Sequence, residues 1–142
     1  YGAPDAEEVI VVMCSASEAV KETVDVPERQ GRKVGMVQIH LYRPFSVKHF
    51  AAAIPATVKK IAVLDRTKES GSVGEPLYLD VQSALQQAGR KDIVVVGGRY
   101  GLAPRTPRPA RSWRCTTTGQ GGAQEQLHHR HRGRRDLHLL AL

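Results

Sequence analysis

The sequence is short of the residues that usually announce chemistry. It holds two cysteines in 142 residues, Cys14 and Cys115. Their spacing fits neither a disulfide framework nor a zinc or iron–sulfur ligand set, and so sparing a use of thiols suits a reducing cytoplasm. No apolar run approaches the roughly 18 residues that a membrane span needs, so no membrane partner is expected. There is no signal peptide pattern, and the first residue is Tyr1 rather than Met, so the chain reads as a piece of something longer. The glycines form neither G-x-G-x-x-G nor a P-loop, since no Gly-Lys-Ser/Thr follows them. His40 and His49 stand without an Asp, Ser or Cys constellation and make poor catalysts.

Charge is present but unevenly placed. The net charge is +7. Residues 1–102 carry 13 Lys and Arg against 12 Asp and Glu, whereas residues 103–142 carry 8 Arg, no Lys and 2 acidic residues. Any argument for an acidic partner therefore rests on the last forty residues.

What is present is a repeating pattern. Residues 7–14, "EVIVVMC" with its leading acid, form a short continuous apolar run, as expected of a strand buried on both faces. Ser15 with Glu18 offers a capping box for a helix bearing Ala16, Ala19, Val20, Thr23 and Val24. Residues 33–41 alternate as a second strand. Ser46 is placed to cap a short helix with Val47, Phe50, Ala51 and Ile54 on one face, stopped by Pro55. Residues 59–65 are a third strand. Pro76 opens a helix with Leu77, Val81, Leu85 and Ala88 aligned, Gly89 ends it, and residues 92–98 are a fourth strand. Strands alternating with helices predict an open, mostly parallel α/β sheet with three layers.

In such a sheet the loops at the carboxyl ends of the strands share one edge, where ligands or neighbouring domains dock. The unusual stretches fall there: "CSAS", "LYRPFS", "LDRTKESGSVGEP" and "GGRYGL". Gly71 and Gly74 offer amides at a helix start that would suit a phosphate or carboxylate, but the favoured reading is that they permit the turn while Arg66, Lys68 and Glu69 reach a neighbour. Arg43, held extended by Pro44, suits a salt bridge to Asp65 or Glu69. With Glu75 and Arg99, these residues (Arg43, Asp65, Arg66, Lys68, Glu69, Glu75 and Arg99) are the candidates for anchoring loops or neighbouring domains. Cys14 is expected to be a packed thiol. The acidic group Asp5, Glu7 and Glu8 is given no role.

The run "LYRPFS…AVLDRTKESGSVGEPLYLDV…GGRYGL" resembles pyruvate:ferredoxin (flavodoxin) oxidoreductase, specifically its second domain. The resemblance extends back to "GAPDAEEVIVVM" and forward through Leu102. It implies a fold like the transketolase C-terminal domain over residues 1–102, and a parent enzyme converting pyruvate and coenzyme A to acetyl-CoA and CO2. That parent is implied to use thiamine diphosphate, Mg and iron–sulfur clusters, to pass electrons to ferredoxin or flavodoxin, and to be a homo-oligomer. The thiamine- and cluster-binding motifs are not in this sequence. The resemblance therefore assigns this chain no catalytic, cofactor-binding or metal-binding residue, and makes it a scaffold whose partners are the remaining domains. Two other readings stand beside it: a relative acting on another 2-oxo acid, and a free-standing α/β module that binds an anionic ligand at residues 66–75.

The sequence departs from the family at "CSAS", where a glycine-rich turn is expected, and at "VPER", residues 26–29, where the family has something like "YLNA". Pro27 is thereby placed inside the first helix, at a cost of ~3 kcal/mol for an interior position. Past Leu102 the text becomes rich in Arg, Pro, Gly, His and Thr, ending in "LHHRHRGRR" at residues 127–135. Reading the third base of each codon with the first two of the next from Ala103 allows "SKDTPPGQVLAVYDN". Starting one base into each codon from about Thr118 allows "LAKEEPKNNFTIGIVDDVTFTSLP". Both resemble the family's continuation, so residues 103–142 are expected to be an out-of-frame, poorly packed tail rather than a nucleic-acid arm or a site for His128, His129, His131 and His138 to bind metal.

Overall fold

The computed structural model describes residues 1–101; the expectations for Cys115, the histidine-rich run and the rest of the tail lie outside the described residues. Four strands, β1 (Glu8–Met13), β2 (Val34–Ile39), β3 (Lys60–Asp65) and β4 (Val94–Arg99), alternate with helices α1 (Ala16–Arg29), α2 (Val47–Ala53) and α3 (Pro76–Gln87). The sheet order is β2-β1-β3-β4, and every pairing is parallel. This is the open parallel α/β sheet that the alternating pattern predicts.

The period-two alternation of the strands sorts the core into two halves. Val9, Val11, Ile61 and Val63 point to one face, under α2 and α3, with Phe50, Leu77, Val81 and Leu85. Ile10, Val12, Ala62 and Leu64 point to the other, where Ala16, Val20 and Val24 of α1 meet them. The sheet is thus the middle of three layers. β1 is buried on both faces because it lies inside the sheet with helices above and below, which explains its unbroken apolar run.

The α1 start differs from expectation. Ser15 has α-region backbone angles and makes no side-chain cap bond, because a capping side chain needs an extended backbone to fold back onto the first turn. Cys14 makes the reversal instead, at φ 61. Its carbonyl accepts from the Ser17 hydroxyl at 2.8 Å and from the Ser17 amide at 3.2 Å. That left-handed turn carries Cys14 out of the strand, so its thiol is exposed rather than packed. Ser46, by contrast, is extended and accepts from the His49 amide, as predicted.

Pro27 sits in the last turn of α1 and is buried. It cannot donate the i→i−4 bond, yet its own carbonyl accepts from Gln30 at 3.0 Å and Arg32 at 2.9 Å, so the helix end closes around it. A last-turn proline costs less than an interior one, but the missing donor and ring crowding remain. Pro27→Leu is expected to stabilise the fold by about 1–2 kcal/mol, a rise of about 4–8 °C in melting temperature per kcal/mol for a domain of this size. Calorimetry showing no rise would contradict the idea that Pro27 strains α1.

Candidate functional site

The carboxyl edge of the sheet gathers the loops singled out above, and its centre is the start of α3. A helix begins with backbone N–H groups that have no partner within it. In α3 they are accounted for from the first helical residue onward. Pro76 occupies the first helical position and has no N–H. The Leu77 and Tyr78 amides donate to the two carboxylate oxygens of Asp65, at 3.2 and 3.1 Å, and the Leu79 amide donates to the Glu75 carbonyl at 3.0 Å. The anion that a helix start attracts is supplied by the last residue of β3.

Asp65 is 1% exposed. Its burial raises the carboxyl pKa, against the lowering effect of the two amide bonds. Charge and burial therefore oppose each other at this residue, and burial prevails.

Glu75, the residue before α3, is also buried. It does not cap its own helix. One carboxylate oxygen accepts from the Glu69 amide at 2.9 Å, closing the 66–75 loop onto itself, and the other pairs with the Arg99 guanidinium at the end of β4. Since Asp65 and Arg99 are register partners across β3 and β4, the two acids together join β3, the loop, α3 and β4 at one point. Tyr78 packs against both glycines: a Cβ on Gly74 would lie 2.6 Å from its ring, which forces a shift, and one on Gly97 would lie 3.1 Å away, a tight contact.

Of the seven residues named from the sequence, the structure brings Asp65, Glu75 and Arg99 together, with Glu69 joined through its backbone. Arg66 lies against Gly101. Lys68 is exposed, and neither it, Arg66 nor the Glu69 side chain forms an ion pair among the described residues. The sequence reading places Arg43 against Asp65 or Glu69, and the structure corrects this: Arg43 reaches neither, donating instead to Asp80 on α3 at 2.7 Å and lying over the Tyr42 ring, 3.9 Å from its centre. The reason is that Asp65 is already buried under the α3 start, leaving Asp80, on the outer side of that helix, as the acid within reach. Burial and a bond with Asp80 push the Tyr42 hydroxyl up to about 12.

The crevice between β1 and β3, where the chain order reverses, is the usual ligand position in such sheets. Here Tyr100 closes it: its amide donates to the Asp65 carbonyl at 3.0 Å and its hydroxyl to the Met13 carbonyl at 3.3 Å. The opposite edge is tied by the ion pairs Lys33–Asp5, Lys59–Glu7 and Arg32–Glu8 at 2.7–2.9 Å, so the acidic group given no role from the sequence binds the loops below the strands. Sequence reasoning also missed Arg90, whose guanidinium donates to the Pro55, Ala56 and Val58 carbonyls; no local pattern marks a side chain that spans two loops.

The described residues do not fit a diphosphate or an iron–sulfur cluster. The α3 amides are taken by Asp65, no three His, Cys, Asp or Glu side chains among the described residues are arranged to hold a metal, and Cys14 is the one thiol there against the four a cluster requires.

The family described as "Pyruvate:ferredoxin oxidoreductase core domain II" matches residues 6–110. The chain belongs to that family. It is 57% identical over 109 residues to the pyruvate:ferredoxin oxidoreductase of Moorella thermoacetica, an alignment that covers 77% of this chain and 9% of the relative. It is 54% identical over 110 residues to the pyruvate-flavodoxin oxidoreductase of Enterobacter agglomerans, covering 78% and 9%. It is 53% identical over 105 residues to the mitochondrial pyruvate dehydrogenase [NADP(+)] of Euglena gracilis, covering 73% and 6%. The chain thus spans about a tenth or less of the length of these relatives. The core domain II match runs past Leu102 to residue 110. No helix among the described residues is long and apolar enough to cross a membrane.

The Asp65 cap gives a prediction for this core domain II. Asp65→Ala leaves the Leu77 and Tyr78 amides without acceptors and is expected to cost about 1–3 kcal/mol near neutral pH. Because the folded pKa of Asp65 lies above its ordinary 3.8, the stability it contributes is fullest below that value and declines as pH rises through the folded pKa. The loss caused by Asp65→Ala should therefore be larger at pH 3.5 than at pH 7, measured as the difference in urea midpoints. A loss that grows with pH would contradict this assignment.

Proposed function

We propose that this chain is a structural piece of an enzyme that oxidises pyruvate with coenzyme A to acetyl-CoA and CO2 and passes the electrons to ferredoxin or flavodoxin. The observation that carries the proposal is the 57% identity to a pyruvate:ferredoxin oxidoreductase of which the chain covers only 9%. Thiamine diphosphate, Mg, the iron–sulfur clusters and coenzyme A are held by the parts of the enzyme that lie outside this chain. The chain's own contribution is a rigid α/β wedge. Asp65, Glu75 and Arg99 fix its upper edge, and Arg43, Arg66, Lys68 and Glu69 stand exposed there for the neighbouring domains. The parent is a cytoplasmic homo-oligomer acting on pyruvate in preference to another 2-oxo acid.

The choice of electron acceptor lies elsewhere in the enzyme. Relatives named for ferredoxin, flavodoxin and NADP match this chain at 57%, 54% and 53%, a spread too narrow to track three different acceptors.

Residues 103–142 are, on the same reading, a product of slipped reading frame and not a basic arm. Residues 111–142 lie beyond the family match and hold 6 of the 8 arginines of the last forty residues. Resequencing the encoding DNA is expected to find bases gained or lost near codons 26, 30, 103 and 118; an uninterrupted frame as written would overturn it.

The functional proposal is tested by exchange. Residues 6–101, replacing the matching segment of the Moorella thermoacetica enzyme, are expected to support coenzyme A-dependent reduction of a viologen dye by pyruvate, while the 142-residue chain alone is expected to show none. Pyruvate oxidation by the chain alone, or a folded, cofactor-loaded chimera without activity, would contradict the proposal.

A further inference from the structure

The outer edge of β2 is only half used. Residues 1–3 run antiparallel along its first half. The Tyr1 ammonium donates to the Met36 carbonyl at 3.1 Å, the Met36 amide donates to the Tyr1 carbonyl at 2.8 Å, and the Ala3 amide donates to the Val34 carbonyl at 3.0 Å. Tyr1 and Met36 therefore exchange both bonds, and such pairs recur at every second residue of an antiparallel ladder. The next position on β2 is Gln38, whose N–H and C=O have the same outward aim as those of Met36. No described residue pairs with them.

Alongside this open half lies an apolar groove of about 250 Å³ lined by Val37, Ile39, Leu41, Phe45 and Phe50 among others. Val37 and Ile39 lean toward the α2 and α3 side of the sheet, and Leu41 is 68% exposed. An unpaired strand edge beside an apolar groove is the combination that strand addition uses: main-chain bonds hold the incoming segment and alternate side chains fill the groove.

We propose that this groove seats an extended strand that runs antiparallel to β2 and carries an apolar residue at every second position. Its source is the polypeptide that leads into Tyr1 in the longer enzyme, an assignment that rests on the functional reading above. The register of Tyr1 with Met36 fixes the details. The residue immediately before Tyr1 lies opposite Val37 and the third before it lies opposite Ile39, so these two point into the groove. The second before Tyr1 lies opposite Gln38 and turns to the α1 side, where Met36 and the Tyr1 ring also lie, the latter bonded to Asp25 at 2.6 Å.

The test compares the 142-residue chain with two versions extended ahead of Tyr1, one by Thr-Val-Thr-Val and one by Val-Thr-Val-Thr. The first puts valine into the groove and the second puts threonine there. Amide hydrogen exchange at Gln38, followed by NMR, is expected to slow at least tenfold with Thr-Val-Thr-Val and by less with the shifted sequence, with the melting temperature rising in the same order. Equal exchange at Gln38 in all three chains would overturn the proposal. Protection by free Thr-Val-Thr-Val peptide but not by the tethered extension would overturn the assignment to the polypeptide leading into Tyr1. Because the extensions are designed probes, failure of the enzyme chimera leaves this result untouched, and the reverse holds equally.

Discussion

The carboxylate of Asp65 across the first amides of α3 is the contact on which the upper half of this fold depends. A strand end and a helix start each carry a difficulty: the buried acid needs donors, and the helix amides need an acceptor. Joining them resolves both. The cost of burying the charge shows in the raised pKa of the carboxyl, and Glu75 then carries the connection on to Arg99 at the end of β4.

That arrangement has a functional consequence. Open parallel sheets present two features to ligands at this edge, the helix starts and the crevice where the strand order reverses. In this chain an internal acid fills the first at α3 and Tyr100 closes the second. What stays exposed is charged loop, at Arg43, Arg66, Lys68 and Glu69, together with the open edge of β2. An edge of that sort is what the proposed scaffold role requires of a chain that spans 9% of a relative.

The sequence made the elements legible because burial imposes a period: two on the strands, close to four on Val20 and Val24 or Leu77 and Val81. It also marked Asp65, Glu75 and Arg99, which stand at strand and helix ends where apolar periodicity stops. The pairing among those residues was not legible. Asp65 meets Leu77 twelve residues on, and Arg43 meets Asp80 across 37 residues; both depend on how α2 and α3 settle on the sheet, which no local pattern encodes. Cys14 and Ser15 misled for a different reason. Their residue types suit a packed thiol and a cap, but the left-handed turn at Cys14 reassigns both positions.

Titrating inorganic phosphate and pyrophosphate into the 15N-labelled chain, while following the Leu77 and Tyr78 amide resonances, tests whether the α3 start is already occupied from within. Neither resonance is expected to move in a saturable way, because both protons remain bonded to Asp65. Saturable shifts confined to those two amides and the 66–75 loop would contradict it and make this edge a binding site.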